Sequence, residues 1–430
     1  MKNWLISCFL FFPATVWAQE IGQQENEFSM TAQIRPRAEY RNGALFPRSQ
    51  GEAPAYFINN RARLSLEYKR QDLSLKISGQ HVGVWGQDPQ IDKKGEAHFA
   101  LNEAWAKLNF GKGFFAQLGR QTLSYDDERI LGALDWNIAG RYHDALKLGY
   151  ESNNHRLHLI LAFNQNDEKI IGGTYYGEGG QPYKNMETLW YHFSNPQKKL
   201  NISLLFLNLG LEAGDAVMEN AHTEYLQTMG TYLVYQPENW HLSGAFYYQT
   251  GKNQHKQNVS AYMWNIRAQY QLHQQWKVRI ASDYLSGNKP GDKNVNAFDP
   301  LYGTHHKFYG GMDYFYASNF LKGFNPGLWD NQIGVDYNPC HKIGLSLNYH
   351  YFATTADVEK KGKKYNRGLG SEVDFQIDVS LLKDVKLSAG YSFMRGSATL
   401  DIVKGGNHKS WQDWGWISVN INPRILFVKW

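Results

Sequence analysis

The chain has 430 residues, a formal net charge of +5 and an aromatic share of 15%, from 14 Trp, 27 Tyr and 23 Phe. Its mean hydropathy is −0.55, and past the N-terminal segment no stretch stays apolar for the roughly eighteen residues a membrane helix needs, which excludes a helical membrane protein. The modest charge implies no whole-surface nucleic-acid footprint, and a length that ordinarily suggests two or three domains carries one repeating pattern instead.

The N-terminus reads as a secretory signal over 1–18, followed by one domain over 19–430. Lys2 supplies the positive region, residues 4–12 an apolar core, and Val16-Trp17-Ala18 a small-residue cleavage pattern. A lipoprotein box at Leu5-Ile6-Ser7-Cys8 would leave almost no apolar core upstream. Cleavage after Ala18 leaves Cys340 as the single cysteine, so no internal disulfide is expected. No catalytic motif surrounds it, and an isolated small residue near the turn after Pro339 is the simpler reading.

The first element, 28–41, alternates strictly. Phe28, Met30, Ala32, Ile34, Pro36, Ala38 and Tyr40 share one face; Ser29, Thr31, Gln33, Arg35, Arg37, Glu39 and Arg41 share the other. Period two makes it a strand with a greasy side and a charged side, and about fourteen residues of it suit a tilted membrane stave. The pattern recurs over 56–68, where Asn59, Arg61, Arg63, Ser65 and Glu67 face the polar side, and over 72–80. Strands are expected at 99–110, 114–122, 141–150, 155–163, 188–193, 200–208, 223–235, 240–250, 259–270 and 275–285. They continue at 332–337, 342–352, 371–382, 385–395 and 415–421. Short links alternate with long polar ones, the longest over 286–331, and a structureless connection of that length is usually functional. The fold class is therefore all-β: a transmembrane antiparallel β-barrel of about 18 strands, with short periplasmic turns and long extracellular loops. Trp430 closes an apolar terminal segment, 425–428, as outer-membrane proteins do. Together these features place the chain in the outer membrane of a Gram-negative bacterium, with lipid as its first partner.

Several passages resemble the bacterial alginate-export outer-membrane proteins. They are Arg35-Pro36-Arg37-Ala38-Glu39-Tyr40, Asn60-Arg61-Ala62-Arg63-Leu64, Leu118-Gly119-Arg120-Gln121 with Asp126-Asp127-Glu128-Arg129, and Arg141-Tyr142-His143-Asp144-Ala145. The stretch 298–310, with Asp299, Tyr302, His305, His306, Lys307 and Tyr309, leading to Met312-Asp313, is also similar. The resemblance implies a monomeric eighteen-stranded barrel passing an anionic polysaccharide, or a smaller anion, with periplasmic export components as candidate partners. The acidic inward face of Glu372, Asp374 and Asp378 departs from an arginine-saturated lumen.

A lumen walled by Arg35, Arg37, Arg41, Arg61, Arg63, Arg120, Arg129, Arg141, Arg156, Lys277 and Arg279, with Glu39 and Asp144 among them, would favour anions. Guanidinium groups suit uronate carboxylates because they bind bidentately and stay charged. The bland alternative is a ladder in which these cations pair with Glu39, Glu67, Glu103, Asp144 and Asp283 and fill the barrel. Asp299, Tyr302, His305, His306, Lys307, Tyr309 and Asp313 would form a gating loop or mouth, with the tyrosines as sugar-stacking surfaces. Adjacent His305 and His306 point apart in an extended chain, so no metal is expected; Asp126-Asp127-Glu128 lacks EF-hand spacing and reads as a solvated turn. No cofactor is implied, and without a nucleophile elbow or a Ser/His/acid set the chain does not read as an enzyme. The alternatives to an anionic-polysaccharide channel are a general or substrate-specific porin, or a closed-lumen adhesion or structural barrel.

Overall fold

The computed structural model describes residues 25–91, 93, 98–165, 168, 170, 183–214 and 220–430. The signal expected over 1–18, and parts of the outer connections expected at 85–98, 164–187 and 209–222, lie outside the described residues. The strands run β1 (Glu27–Asn42), β2 (Ala55–Lys69), β3 (Leu73–Val84), β4 (Phe99–Gly111), β5 (Phe114–Gln121), β6 (His143–Glu151) and β7 (His155–Phe163). Next come β8 (Asn185–Ser194), β9 (Leu200–Ala213), β10 (His222–Tyr235), β11 (Trp240–Lys252), β12 (Asn258–His273) and β13 (Trp276–Leu285). After a long connection follow β14 (Leu328–Cys340), β15 (Ile343–Ala353), a small hairpin of β16 (Val358–Lys360) and β17 (Lys363–Tyr365), then β18 (Gly368–Leu382) and β19 (Val385–Gly396). Helix α1 (Ala398–Lys404) precedes β20 (Gln412–Ile421) and β21 (Arg424–Lys429).

Every neighbouring pair is antiparallel, and the sheet closes where β1 meets both β20, as in Arg37↔Ser418, and β21, as in Phe28↔Val428. β20 and β21 are one stave interrupted at Asn422-Pro423, since proline has no N–H to give the ladder. Ala32 N–H instead donates to the Pro423 carbonyl at 3.1 Å. Counted that way, the barrel has 18 staves. The start of β1 and the end of β21 meet at the short-turn rim, where the backbones of Asn26 and Trp430 exchange hydrogen bonds of 2.8 and 3.0 Å.

Exposure alternates as the sequence does. On β7, Leu157, Leu159, Leu161 and Phe163 are exposed while His158, Ile160 and Ala162 are buried. Outward aromatic rings gather near both rims: Phe114–Tyr150, Trp240–Tyr270 and Trp276–Tyr337 at the short-turn end, Tyr40–Tyr56 and Tyr262–Tyr284 at the other. Such paired girdles sit where a bilayer's two headgroup regions lie.

Several strands run further than their sequence pattern suggested, among them β3, β8, β9 and β14. The cause is visible on β9. Leu204 and Phe206 face lipid, but Leu205, Leu207 and Leu209 are buried inward, so alternation disappears where the lumen is itself apolar. What makes it apolar are connections that fold into the barrel. Leu123, Ile130 and Leu131 from residues 122–142 pack with Phe298, Phe308, Met312, Phe315 and Phe320 from residues 286–327. Leu400 and Val403 of α1 join the same core, against Ile160, Leu207, Tyr247, Phe352 and Trp414 on the wall.

Candidate functional site

The inward face of β1 and β2 grips the inserted connection 122–142. Arg35 donates to the Asp135 carboxylate (3.1 Å) and to the carbonyls of Asp135 (2.8 Å) and Asn137 (3.2 Å). Arg61 reaches the other oxygen of Asp135 at 2.7 Å, Arg37 the Trp136 carbonyl at 2.9 Å, and Gln80 the Ala139 carbonyl at 2.7 Å. Arg37 also lies 4.1 Å over the Trp136 ring, and His306 stacks on that ring at 4.3 Å. The surrounding barrel partly desolvates the Asp135 carboxyl, which opposes its ionisation although its side chain faces a cavity, but Arg61 and Arg35 hold it below the usual range. One step along the wall, Arg63 bonds, among the described residues, the amide oxygens of Gln80 and Asn102.

Below the cluster, Glu39 is fully saturated. It accepts from Arg37 (2.8 Å), Arg41 (2.8 Å), Asn59 (2.7 Å) and the Trp414 indole (3.0 Å), with no exposed side-chain surface. A buried carboxylate is tolerated only when its oxygens are met this way.

Residues 286–327 are anchored from three sides. A parallel bridge joins Leu131 to Tyr302, so the two inserted connections pair with each other. Gln249 holds Asp299, accepting from its N–H at 2.9 Å and donating to its carbonyl at 2.8 Å. On β18, Glu372 accepts the Met312 N–H at 2.8 Å. Gly310 allows this approach, because at φ +86° a Cβ there would meet the Glu372 carboxylate at 2.7 Å. Arg129, 1% exposed, links the connection 122–142 to the wall, 2.5 Å from Asp283 and 2.7 Å from Asp127, with Phe308 4.0 Å beneath its guanidinium. Burial works against its charge, yet the Asp283 and Asp127 carboxylates raise its pKa overall. Lys404 of α1 donates to the Ser318 and Asn319 carbonyls at 3.0 and 2.7 Å; burial pulls its pKa down to about 7.

These placements revise part of the sequence reading. Arg120 and Asp144 form a bidentate pair at 2.9 Å on the outward face, whereas the lumen side of those strands carries Gln117, Gln121 and His143. Parity fixes this: Gly119 breaks the extended run with φ +119°, and an Arg/Asp pair outside is satisfied by its own partner. Arg129 is sealed into an ion pair rather than lining a solute path or standing solvated. Arg141 is half-buried on the Gly303 carbonyl at 3.0 Å. Tyr302 and Tyr309, expected as stacking surfaces at a mouth, are 4% and 1% exposed inside the core. The supposed solvated turn contains a half-buried Asp126 that accepts from the Trp190 indole (3.2 Å), and desolvation raises its pKa to about 6. His305 and His306 diverge, one to the Tyr316 carbonyl and the other to Asp313. Lys307 rests on the Asp127 carbonyl at 3.1 Å. The composition of 298–320 held the signal for all this. Phe298, Phe308, Met312, Phe315 and Phe320 are too many large apolar groups for a solvated mouth.

The remaining inward cations are arranged two to a carboxylate. Arg35 and Arg61 share Asp135, Arg37 and Arg41 share Glu39, and Lys277 and Arg279 share Asp336. Among the described residues Arg63, Lys147, Arg156 and Arg267 make no ion pair with any carboxylate. The acidic wall is partly covered: Asp283, Asp330 and Glu372 lie fully buried behind residues 286–327. Two cavities flank the insertion. One of about 500 Å³ is lined by Asp135, Trp136, Arg267, Arg279, His306 and Lys307; the other, of about 470 Å³, by Lys147, Arg156, His158, Trp190 and Tyr232.

A closed antiparallel barrel with a lipid-facing apolar belt and connections folded into its lumen is an outer-membrane channel barrel of a Gram-negative bacterium. The alginate-export family model matches residues 26–363, and the chain belongs to that family. Its fold is similar to OccK9 (OpdG) of Pseudomonas aeruginosa, at 12% identity and a TM-score of 0.63 over 93% of this chain and 98% of that one. A BenF-like porin from Pseudomonas fluorescens Pf-5 superposes at 13% identity and TM-score 0.61, covering 93% and 99%. OpdK of P. aeruginosa with vanillate does so at 10% identity and TM-score 0.57, again covering 93% and 99%. Comparison with the curated proteins gives no match.

Proposed function

We propose that this protein passes anionic solutes, carboxylated sugars or their polymers, passively across the outer membrane, with residues 1–18 directing its export. The observation that carries the reading is a local excess of cations on the wall: three carboxylates are each shared by two cations, and among the described residues Arg63, Lys147, Arg156 and Arg267 make no ion pair with a carboxylate. In a low-dielectric bore such an excess lowers the energy of an anion and raises that of a cation. Half-satisfied guanidinium groups at several depths give weak, repeated sites along which a carboxylate advances without being trapped. The ladder alternative is part of the same arrangement, since Arg35, Arg37 and Arg61 also hold the backbone of residues 135–138.

A second reading, a channel for single small carboxylates, is favoured by one feature. Residues 122–142 and 286–327 bridge inside the lumen at Leu131–Tyr302, leaving cavities of about 500 and 470 Å³, the scale of a small-molecule site. OpdK, which shares the fold, has been seen with vanillate. Planar-bilayer recordings with glucuronate and with defined oligo-uronates separate the two. Block by the oligomers that grows with length supports the polymer path; passage of glucuronate with indifference to oligomers supports the small-solute path. An absence of conductance in any salt would sink both.

A further inference from the structure

We propose that Arg35 and Arg61, with Arg63 beside them, form a carboxylate-binding site that the chain's own Asp135 occupies, and that a solute carboxylate exchanges with Asp135 there. The inference rests on the anion-channel reading and deepens it by naming the site and its resident counter-ion.

The geometry is that of a bound ligand. Arg61 Nη2 meets Asp135 Oδ1 at 2.7 Å and Arg35 Nη1 meets Oδ2 at 3.1 Å, one guanidinium for each oxygen. Burial is lopsided. The Arg61 and Arg35 side chains are 1% and 13% exposed, whereas that of Asp135 is 64% exposed and opens onto the cavity of about 500 Å³. The arginines are held by carbonyls as well as by that carboxylate: Arg35 Nη2 donates to those of Asp135 and Asn137, and Arg61 Nη1 to that of Ile138 at 3.5 Å. Asp135 itself lines the cavity and stands between it and the two guanidinium groups, so removing its carboxylate leaves two pre-positioned, desolvated donors behind the cavity wall, and pre-positioned donors need no ordering when an anion arrives. Arg63, held by Gln80 and Asn102 and lacking a carboxylate, adds a third positive charge beside them. Arg267 and Arg279 line the same cavity and supply the approach. An internal carboxylate of this kind keeps the arginines from retaining a solute: each arriving carboxylate competes with a tethered one, which displaces it again.

The test uses the full-length protein, purified folded in detergent, with Asp135→Ala and Asp135→Asn made separately. D-Glucuronate binding is measured by calorimetry, and heat-modifiable mobility on gels confirms that each variant retains the barrel. Both variants are expected to bind glucuronate at least about tenfold more tightly than the parent, a gain equal to about 1.4 kcal/mol. Adding Arg61→Gln to Asp135→Ala abolishes that gain, glucose binds to none of them, and sulfate binds Asp135→Ala more weakly than glucuronate. Unchanged or weaker glucuronate binding in folded Asp135→Ala and Asp135→Asn overturns the proposal, as does a gain that survives Arg61→Gln. Sulfate binding as tight as glucuronate overturns the assignment to carboxylates. Reversal potentials keep the two readings apart: a cation-selective or silent channel whose Asp135→Ala variant still gains glucuronate binding removes the transport reading and leaves the site.

Discussion

Replacing Arg129 by Met removes a guanidinium that ties the inserted connection 122–142 to Asp283 on the wall and to Phe308 of residues 286–327. The side chains of Arg129 and Asp283 are 1% and 0% exposed, so the substitution orphans a carboxylate that water does not reach. Breaking a buried pair from one side costs about 3–5 kcal/mol, because the remaining charge stays desolvated. Met keeps most of the apolar contact with Phe308, which isolates the electrostatic part. If the cost falls on docking of the insertions rather than on the barrel, the undocked population rises by about two to three and a half orders of magnitude. Hydrogen exchange reads this directly at the amides of Tyr302 and Thr304, whose bonds to the Ile130 and Glu128 carbonyls, both 2.9 to 3.0 Å, exist only in the docked state. Protection there should fall while that of β10 and β11 stays constant, and single-channel records should show larger or more frequent open steps. Adding Asp283→Asn removes the orphaned charge and should recover much of the protection. Equal protection and equal conductance in parent and Arg129→Met would refute the view that this pair holds the insertions in place.

Other expectations follow from the same contacts. Lys404 is depressed to about 7 by burial, so below pH 7 the docked state carries the full desolvation penalty. From pH 7 to about 10.5 the undocked chain binds more protons, and docking of α1 on Ser318 strengthens by up to about 1.4 kcal/mol per pH unit. Limited proteolysis within 397–411 should slow over that range, and Lys404→Met should erase the dependence. Asp126 is raised to about 6 by burial, so its contribution is lost as pH rises from about 4 to 6, and Asp126→Asn should tighten docking of 122–142 at pH 7 by about 1–3 kcal/mol, read from exchange at Tyr125. Arg120 and Asp144 pair with each other outside the lumen. Changing both to Gln and Asn should leave ion selectivity unaltered, and a shifted reversal potential would show that they face the bore.

The eighteen staves were legible because each crosses from lipid to a mostly polar lumen. Strict alternation in β1, β2, β7 and β18 is the direct imprint of that geometry. Where the lumen is filled by protein the imprint fails. The inward Leu205, Leu207 and Leu209 of β9 alternate with outward Leu204 and Phe206, so the sequence there is uniformly apolar and carries no period-two signal. The arginine cluster of β1 and β2 was found by the same parity argument, since Arg35, Arg37, Arg61 and Arg63 all point inward. What parity does not contain is the partner. Asp135 lies 74 residues from Arg61 and 100 from Arg35, in a connection whose inward course depends on the whole barrel. Arg120 shares its face with Phe114 and Leu118, and Asp144 shares its face with Leu148, so parity by itself sets both outward. Resemblance to the family motif drew them into the lumen along with their neighbours.

Unpaired cations on the lumen wall should make the channel anion-selective, and the reversal potential under a KCl gradient measures this. Arg63, Lys147 and Arg267 are the residues to neutralise, because among the described residues none is ion-paired and their replacement by Gln orphans no carboxylate. The parent should be anion-selective, and the triple variant should lose most of that selectivity while keeping its conductance. A parent that prefers potassium, or a triple variant with the parent's reversal potential, would contradict it.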